Sequence, residues 1–164
     1  MAINFPASPS LNQTYTYEGR TWKWNGVGWQ IYVANPSPEV GLNSVSATVS
    51  VAAGATATST VTLHPMVMIH SITSSVPAWV RIYQSSSASS ADASRAYTDD
   101  PASESGVIAE VATAATNETI SLSPVASGIN QESPRTSVFP IRVTNNDNAA
   151  STVTVTFNYV YLQV

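Results

Sequence analysis

Alternation with a period of two runs through most of this chain. Val45, Ala47, Val49 and Val51 alternate with Ser and Thr, and across residues 152–164 Val153, Val155, Phe157, Tyr159 and Tyr161 keep one apolar face. Successive strand side chains point to opposite faces, so each run predicts a strand with one face toward a core. The opposite face of the last run changes from Thr152, Thr154, Thr156 and Asn158 to Val160, Leu162 and Val164, which predicts burial on both faces for its C-terminal third. Further strands are predicted at 58–63, 66–72, 79–83, 106–111, 119–122 and 138–144. In the third of these, Val80 and Ile82 share one face while Trp79, Arg81 and Tyr83 share the other. The Ser- and Ala-rich stretch 85–94, with a single charge at Asp92, fits either a short helix or an ordered crossing loop.

The first 34 residues have a different texture. A Pro-containing arm, Phe5-Pro6-Ala7-Ser8-Pro9, cannot lie inside a sheet because neither proline has an N–H to donate. Three short runs follow, Tyr15-Thr16-Tyr17, Thr21-Trp22-Lys23-Trp24 and Trp29-Gln30-Ile31-Tyr32, separated by Glu18-Gly19-Arg20 and Asn25-Gly26-Val27-Gly28. Asn-Gly accepts the positive φ of a hairpin turn, so a three-stranded meander is expected with Tyr15, Tyr17, Trp22, Trp24, Trp29 and Ile31 on one face. Prolines in Asn35-Pro36-Ser37-Pro38 favour extended backbone. The reading is therefore a Trp-rich module over 1–34, a linker over 35–41 and a β-sandwich over 42–164. The fold class is all-β, a small N-terminal β-meander followed by a jelly-roll-like sandwich, with an immunoglobulin-like sandwich as the alternative topology.

Composition narrows the function. No cysteine is present, which removes disulfide scaffolds, thiolate metal sites and cysteine nucleophiles. The six basic residues, Arg20, Lys23, Arg81, Arg95, Arg135 and Arg142, are scattered in a chain of net charge −4, so no phosphate-neutralising patch and no nucleic-acid partner is expected. The start of the sequence lacks the charged and apolar regions of a signal peptide, and no apolar run is long enough to span a membrane, so a soluble chain is expected. Charged residues make up 10% of the sequence, against roughly 25% in ordinary soluble domains. A hydroxyl-rich, charge-poor surface fits a protein largely covered by neighbours.

Candidate chemistry is thin. His64 and His70 can face the same side of an extended chain, but no third ligand is nearby, so a structural or exposed pair is expected. Asp92, Asp99, Asp100 and Glu104 offer hard oxygens without the spacing of a calcium loop, and Asp92 with Arg95 forms a local i,i+3 pair. No serine lies in a Gly-x-Ser-x-Gly turn and there is no Gly-rich phosphate loop. Trp22, Trp24 and Trp29 read first as the core of their small module and second as a stacking platform. No catalytic, cofactor-binding or metal-binding residue is assigned, and a non-enzymatic protein is expected.

The motifs Phe5-Pro6-x-Ser8-Pro9, Thr14-Tyr15, Gly19, Trp22-x-Trp24-Asn25-Gly26 and Trp29 resemble a small N-terminal module of tailed-bacteriophage structural proteins, notably those of cyanophages. The segments Pro77-Ala78-Trp79-Val80-Arg81-Ile82-Tyr83, Ala91-Asp92-Ala93-Ser94-Arg95, Asp100-Pro101 and Ser105-Gly106-Val107-Ile108 resemble a sandwich domain of phage head and tail proteins. So does Val143-Thr144-Asn145-Asn146 followed by Val153-Thr154-Val155-Thr156. The resemblance implies a virion structural protein made in the host cytoplasm. The leading expectation is a decoration or cement protein on the outer capsid surface, a homotrimer bound to the major capsid protein or other virion proteins. The alternative is a tail fibre, adaptor or baseplate module that recognises a host-surface glycan. Expected partner-binding residues are Phe5, Trp22, Trp24, Trp29, Tyr32, Tyr159, Tyr161, Leu162 and Val164.

Overall fold

A computed structural model of the chain describes residues 3–32 and 41–161. Leu162 and Val164 lie outside the described residues, as does most of the 35–41 linker. The chain divides into two compact units, Met1–Pro38 and Glu39–Val164.

In the first unit, β1 (Thr14–Tyr17), β2 (Arg20–Trp24) and β3 (Trp29–Ile31) form an antiparallel meander in that order. Glu18 and Gly19 both take positive φ, 48° and 73°, the conformation that a two-residue hairpin of matching twist requires. At the second turn the Asn25 side-chain oxygen accepts the N–H groups of Val27 and Gly28 at 2.9 and 2.8 Å. Direct pairing of Tyr15 with Trp22, Trp22 with Ile31, and Trp24 with Trp29 places these side chains on one face, as the alternation predicts. Phe5 covers part of that face, with its ring 5.6 Å from Tyr15, 5.6 Å from Trp22 and 5.2 Å from Trp29. Ile31 stays 64% exposed. The arm covers the sheet over the tryptophans and leaves that corner open.

The second unit is a sandwich built from β4 (Asn43–Val51), β5 (Thr56–Thr62), β6 (Met66–Ser74), β7 (Ala78–Tyr83), α1 (Ser86–Ala91), β8 (Val107–Ala112), β9 (Glu118–Ile129), β10 (Val138–Asn145) and β11 (Ser151–Tyr161). One four-stranded sheet has the order β5-β10-β7-β8 and the other β4-β11-β6-β9. Every connection except that from β7 to β8 passes from one sheet to the other, the double Greek-key path of an eight-stranded jelly roll. Side chains from the two inner faces fill the space between, with Ile69, Ile72, Ile82, Phe139, Ile141 and Phe157 fully buried.

Two strand expectations differ from the structure. The 119–122 strand extends to Ile129: its ladder with β6 breaks between Ser121 and Ala126, around the donor-less Pro124, and pairing from Ala126 to Ile129 then continues the strand. The end of β11 is not buried on both faces: Tyr159, Val160 and Tyr161 are half-buried. The β11–β6 ladder slips one residue between Asn158 and Tyr159, opposite the exposed His70, and Val160 then pairs with half-buried Met68 on an uncovered face.

Replacing Phe5 with Ala removes three ring contacts worth roughly 0.5–1.5 kcal/mol each from a unit of about 30 residues, which has little stability to spare. The expected outcome is a red shift of tryptophan emission and loss of near-UV dichroism, with the melting of the sandwich unchanged. Unaltered tryptophan spectra would show that the meander holds without the arm.

Candidate functional site

Six of the nine expected contact residues fall in two groups, Tyr32 stands apart, and Leu162 and Val164 lie outside the described residues. Phe5, Trp22, Trp24 and Trp29 come together as one aromatic cluster, in which Trp22 is 8% exposed and the Trp24 and Trp29 rings lie 5.7 Å apart. These tryptophans form the core of their meander, and Trp24 and Trp29 keep only part of their surface open. Tyr32 does not join them. Its ring lies 5.3 Å from the Lys23 ammonium, and Lys23 alternates to the face opposite Trp22 and Trp24.

Tyr159 and Tyr161 sit near the end of β11 with ring centres 6.5 Å apart. Burial, then the neighbouring Tyr161, pushes the Tyr159 hydroxyl pKa up. The Tyr161 ring stacks on His64 at 4.8 Å, and His64 Nδ1 lies 3.3 Å from the Met66 carbonyl. His70, exposed on the β6 bulge, takes no part in this contact. Among the described residues no three His, Asp or Glu side chains converge on a metal position.

The densest polar structure was only partly legible in sequence. On the outer face of β7, Arg81 is 1% exposed and stands directly opposite Arg142 of β10 and Glu110 of β8. Two like charges facing each other across strands are destabilising unless a counter-charge reaches them. Asp92, just after α1, supplies it. Its Oδ2 lies 3.3 Å from Arg81 Nη1 and accepts the Tyr83 hydroxyl at 2.7 Å, while Arg95 grips both of its oxygens at 2.6 and 3.2 Å. Arg95 also reaches Glu110 at 2.6 Å, and Glu110 accepts the Trp79 indole N–H at 3.3 Å. The Arg81 guanidinium stacks on the Trp79 ring at 3.6 Å, and Tyr97 meets that ring edge-on at 5.4 Å.

Helix α1 and the loop behind it are held over this layer. Arg142 donates to Ser89 O at 2.8 Å and Oγ at 3.1 Å. The Ser86 N–H and hydroxyl both donate to Glu132 at 2.6 Å. The chain returns from the loop through Gly106, whose φ is +77° and whose added Cβ would lie 2.6 Å from Ala88 Cβ, so no larger residue fits. Burial alone would raise the Asp92 pKa. Hydrogen bonds from Arg95 and Tyr83 and the charges of Arg95 and Arg81 outweigh it and hold the carboxyl below its ordinary value. Burial and the bond to Asp92 push the Tyr83 hydroxyl up. Both Asp92 oxygens accept guanidinium or hydroxyl donors in this arrangement.

The opposite sheet carries a contrasting surface. Ser44, Ser46, Thr48 and Ser50 of β4 lie beside Thr152, Thr154 and Thr156 of β11, and no ionisable residue occurs in 43–51 or 151–158. These hydroxyls partly satisfy one another, as in Ser46–Thr156 at 2.7 Å, and Thr73–Thr119 at 2.7 Å extends the pattern to β6 and β9. Among the described residues no helix is long and apolar enough to cross a membrane.

Asp92→Asn leaves the buried Arg81 charge uncompensated and is expected to cost about 3–5 kcal/mol of unfolding free energy, measurable by urea denaturation. Because the folded pKa is depressed, the Asp92 contribution is complete above the unfolded value of about 3.9 and is lost as pH falls through the lower folded value. The native chain should thus lose stability below about pH 4, and the variant should lack that part of the slope. Equal acid slopes would remove Asp92 as the cause.

No family model, curated protein or solved structure matches the chain.

Proposed function

We propose that the protein is a structural component of a tailed-bacteriophage virion, a decoration protein that binds the outer surface of the head shell and stabilises it without catalysis. The reading draws on the motifs around Trp22 and Trp79, and on one structural observation above others. Over 43–51 and 151–158 the β4–β11 outer face is uncharged and mostly hydroxyl-lined, while Arg81, Asp92, Arg95 and Glu110 neutralise each other on the opposite sheet. Covering a charged surface carries a desolvation cost for each unpaired ion, whereas hydroxyls exchange water for protein partners at little net cost. Such a face suits permanent contact with other virion proteins.

In this reading the Trp-rich module supplies the grip, since Trp24 and Trp29 keep open ring surface and Tyr32 is 40% exposed. Large aromatics are the usual energetic anchors of protein contacts. A protein that binds the assembled shell and not its separated subunits raises shell stability by mass action, by about 2.7 kcal/mol per site at a hundredfold excess over Kd.

The test is co-sedimentation with purified shells that lack the protein. Saturable binding that raises the shell's heat resistance is expected, and Trp24→Ala or Trp29→Ala should weaken it about tenfold or more while the sandwich still melts normally. Absence of shell binding, with retention on tails or host cells, would overturn the decoration reading in favour of a glycan-recognising tail module.

A further inference from the structure

The four sheet edges are not alike. On one side of the sandwich, β9 is interrupted at Pro124 and its ladder breaks between Ser121 and Ala126, and β8 is short, carries Glu110 and slips register beside Tyr83. Bulges, prolines, charges and short length are the devices by which edge strands avoid pairing with other chains. The other side has none of them. β4 runs nine residues, pairs with β11 through nine consecutive positions without a register shift, and contains neither proline nor charge. Among the described residues no strand pairs with its free edge.

We infer that β4 is the interface between two copies of this chain, paired antiparallel about a two-fold axis at Ala47 so that the two β4-β11-β6-β9 sheets become one. The occupant follows from the strand's own sequence. An isologous antiparallel contact sets each residue against its mirror position. About Ala47, Ser46 meets Thr48, Val45 meets Val49 and Ser44 meets Ser50. Every outward hydroxyl faces a hydroxyl, Val45 and Val49 face each other on the inner side, only the end positions Asn43 and Val51 pair unlike residues, and with no charge on the strand no like-charge repulsion arises. Antiparallel pairing also matches either kind of hydrogen-bonded ring, because the symmetry axis can pass through both. β5, next to β4 on the other sheet, repeats the property: Thr58 and Thr60 flank Ser59, and Ala57 and Val61 flank them. The edge that β4 brings up to its copy is therefore uncharged on both layers.

The pairing gives an even-numbered assembly in place of the trimer expected from sequence. Sedimentation of the full chain is expected to give twice the monomer mass, dissociating on dilution. Ser46 and Thr48 are exposed, so charges are tolerated there in the monomer. S46K/T48K sets lysine against lysine twice across the axis and should weaken association at least about tenfold. S46K/T48E places each lysine opposite a glutamate of the copy and should restore it, an effect confined to the register centred on Ala47. Independently of any variant, amide exchange within 43–51 should slow as protein concentration rises. A monomeric or trimeric mass at the highest soluble concentration, equal association of the two double variants, or concentration-independent exchange at 43–51 would overturn the proposal.

Discussion

Two arginines stand side by side in the middle of a sheet, and much of the sandwich is arranged around keeping them there. Arg81 and Arg142 are direct partners on β7 and β10, an arrangement that costs free energy wherever water is excluded. Their inner-face neighbours, Val80, Ile82, Ile141 and Val143, fix both strands in the core, so neither arginine can move away. The solution is to bring acceptors to them. α1 lays Ser89 on Arg142, and the turn after it delivers Asp92 to Arg81. A helix of six residues would not form alone. It forms here because the Ser85 side chain caps it, Glu132 accepts its first N–H, and Arg142 holds its last turn.

The same arrangement explains why all six residues of β7 are buried. A strand covered on one face by the opposite sheet and on the other by a polar layer must satisfy that layer's groups nearly completely, since unpaired buried charge is far costlier than paired. Tyr83 and Trp79 contribute both apolar cover and one hydrogen bond each, to Asp92 and Glu110. The chain thus spends several of its few charges internally, which is part of the reason so little charge is left for the outer surfaces of β4, β5 and β11.

What could be read in the sequence was set by range. Alternation over 45–51, 79–83 and along 152–161 is a local property, and it shows the strands, their inward faces and the sandwich class, while the jelly-roll path depends on strand order. The Asn25-Gly26 turn was legible because its chemistry sits in four consecutive residues. The Asp92–Arg95 pair was legible for the same reason. What joined it to Arg81, Tyr83 and Glu110 was not, because those contacts depend on which strands become neighbours, and strand order is a non-local outcome. The slip near His70 and the break around Pro124 were missed for a related reason. A bulge preserves apolar character while changing parity, so the pattern on either side still reads as a strand. Phe5 stands out in the sequence as a contact residue, but its role as cover for the meander depends on how the arm folds back over Trp22 and Trp29.

The two sides of this jelly roll follow opposite policies toward irregularity, and the difference has one physical root. The slip between β7 and β8 weakens local pairing, yet it accompanies the loop that carries Asp92 and Arg95, so that sheet gains compensating contacts there. No such loop accompanies β4 and β5, which are joined by a tight turn with Gly54 at φ +67°. Regular pairing with β11 and β10, with Val51 and Val61 set in the core, is then what holds them, and a bulge would remove ladder bonds without a loop to replace them. Regularity that serves the stability of one molecule also leaves a straight row of free backbone donors and acceptors at its margin. The internal economy of the fold therefore determines which of its sides is closed and which is open to another chain.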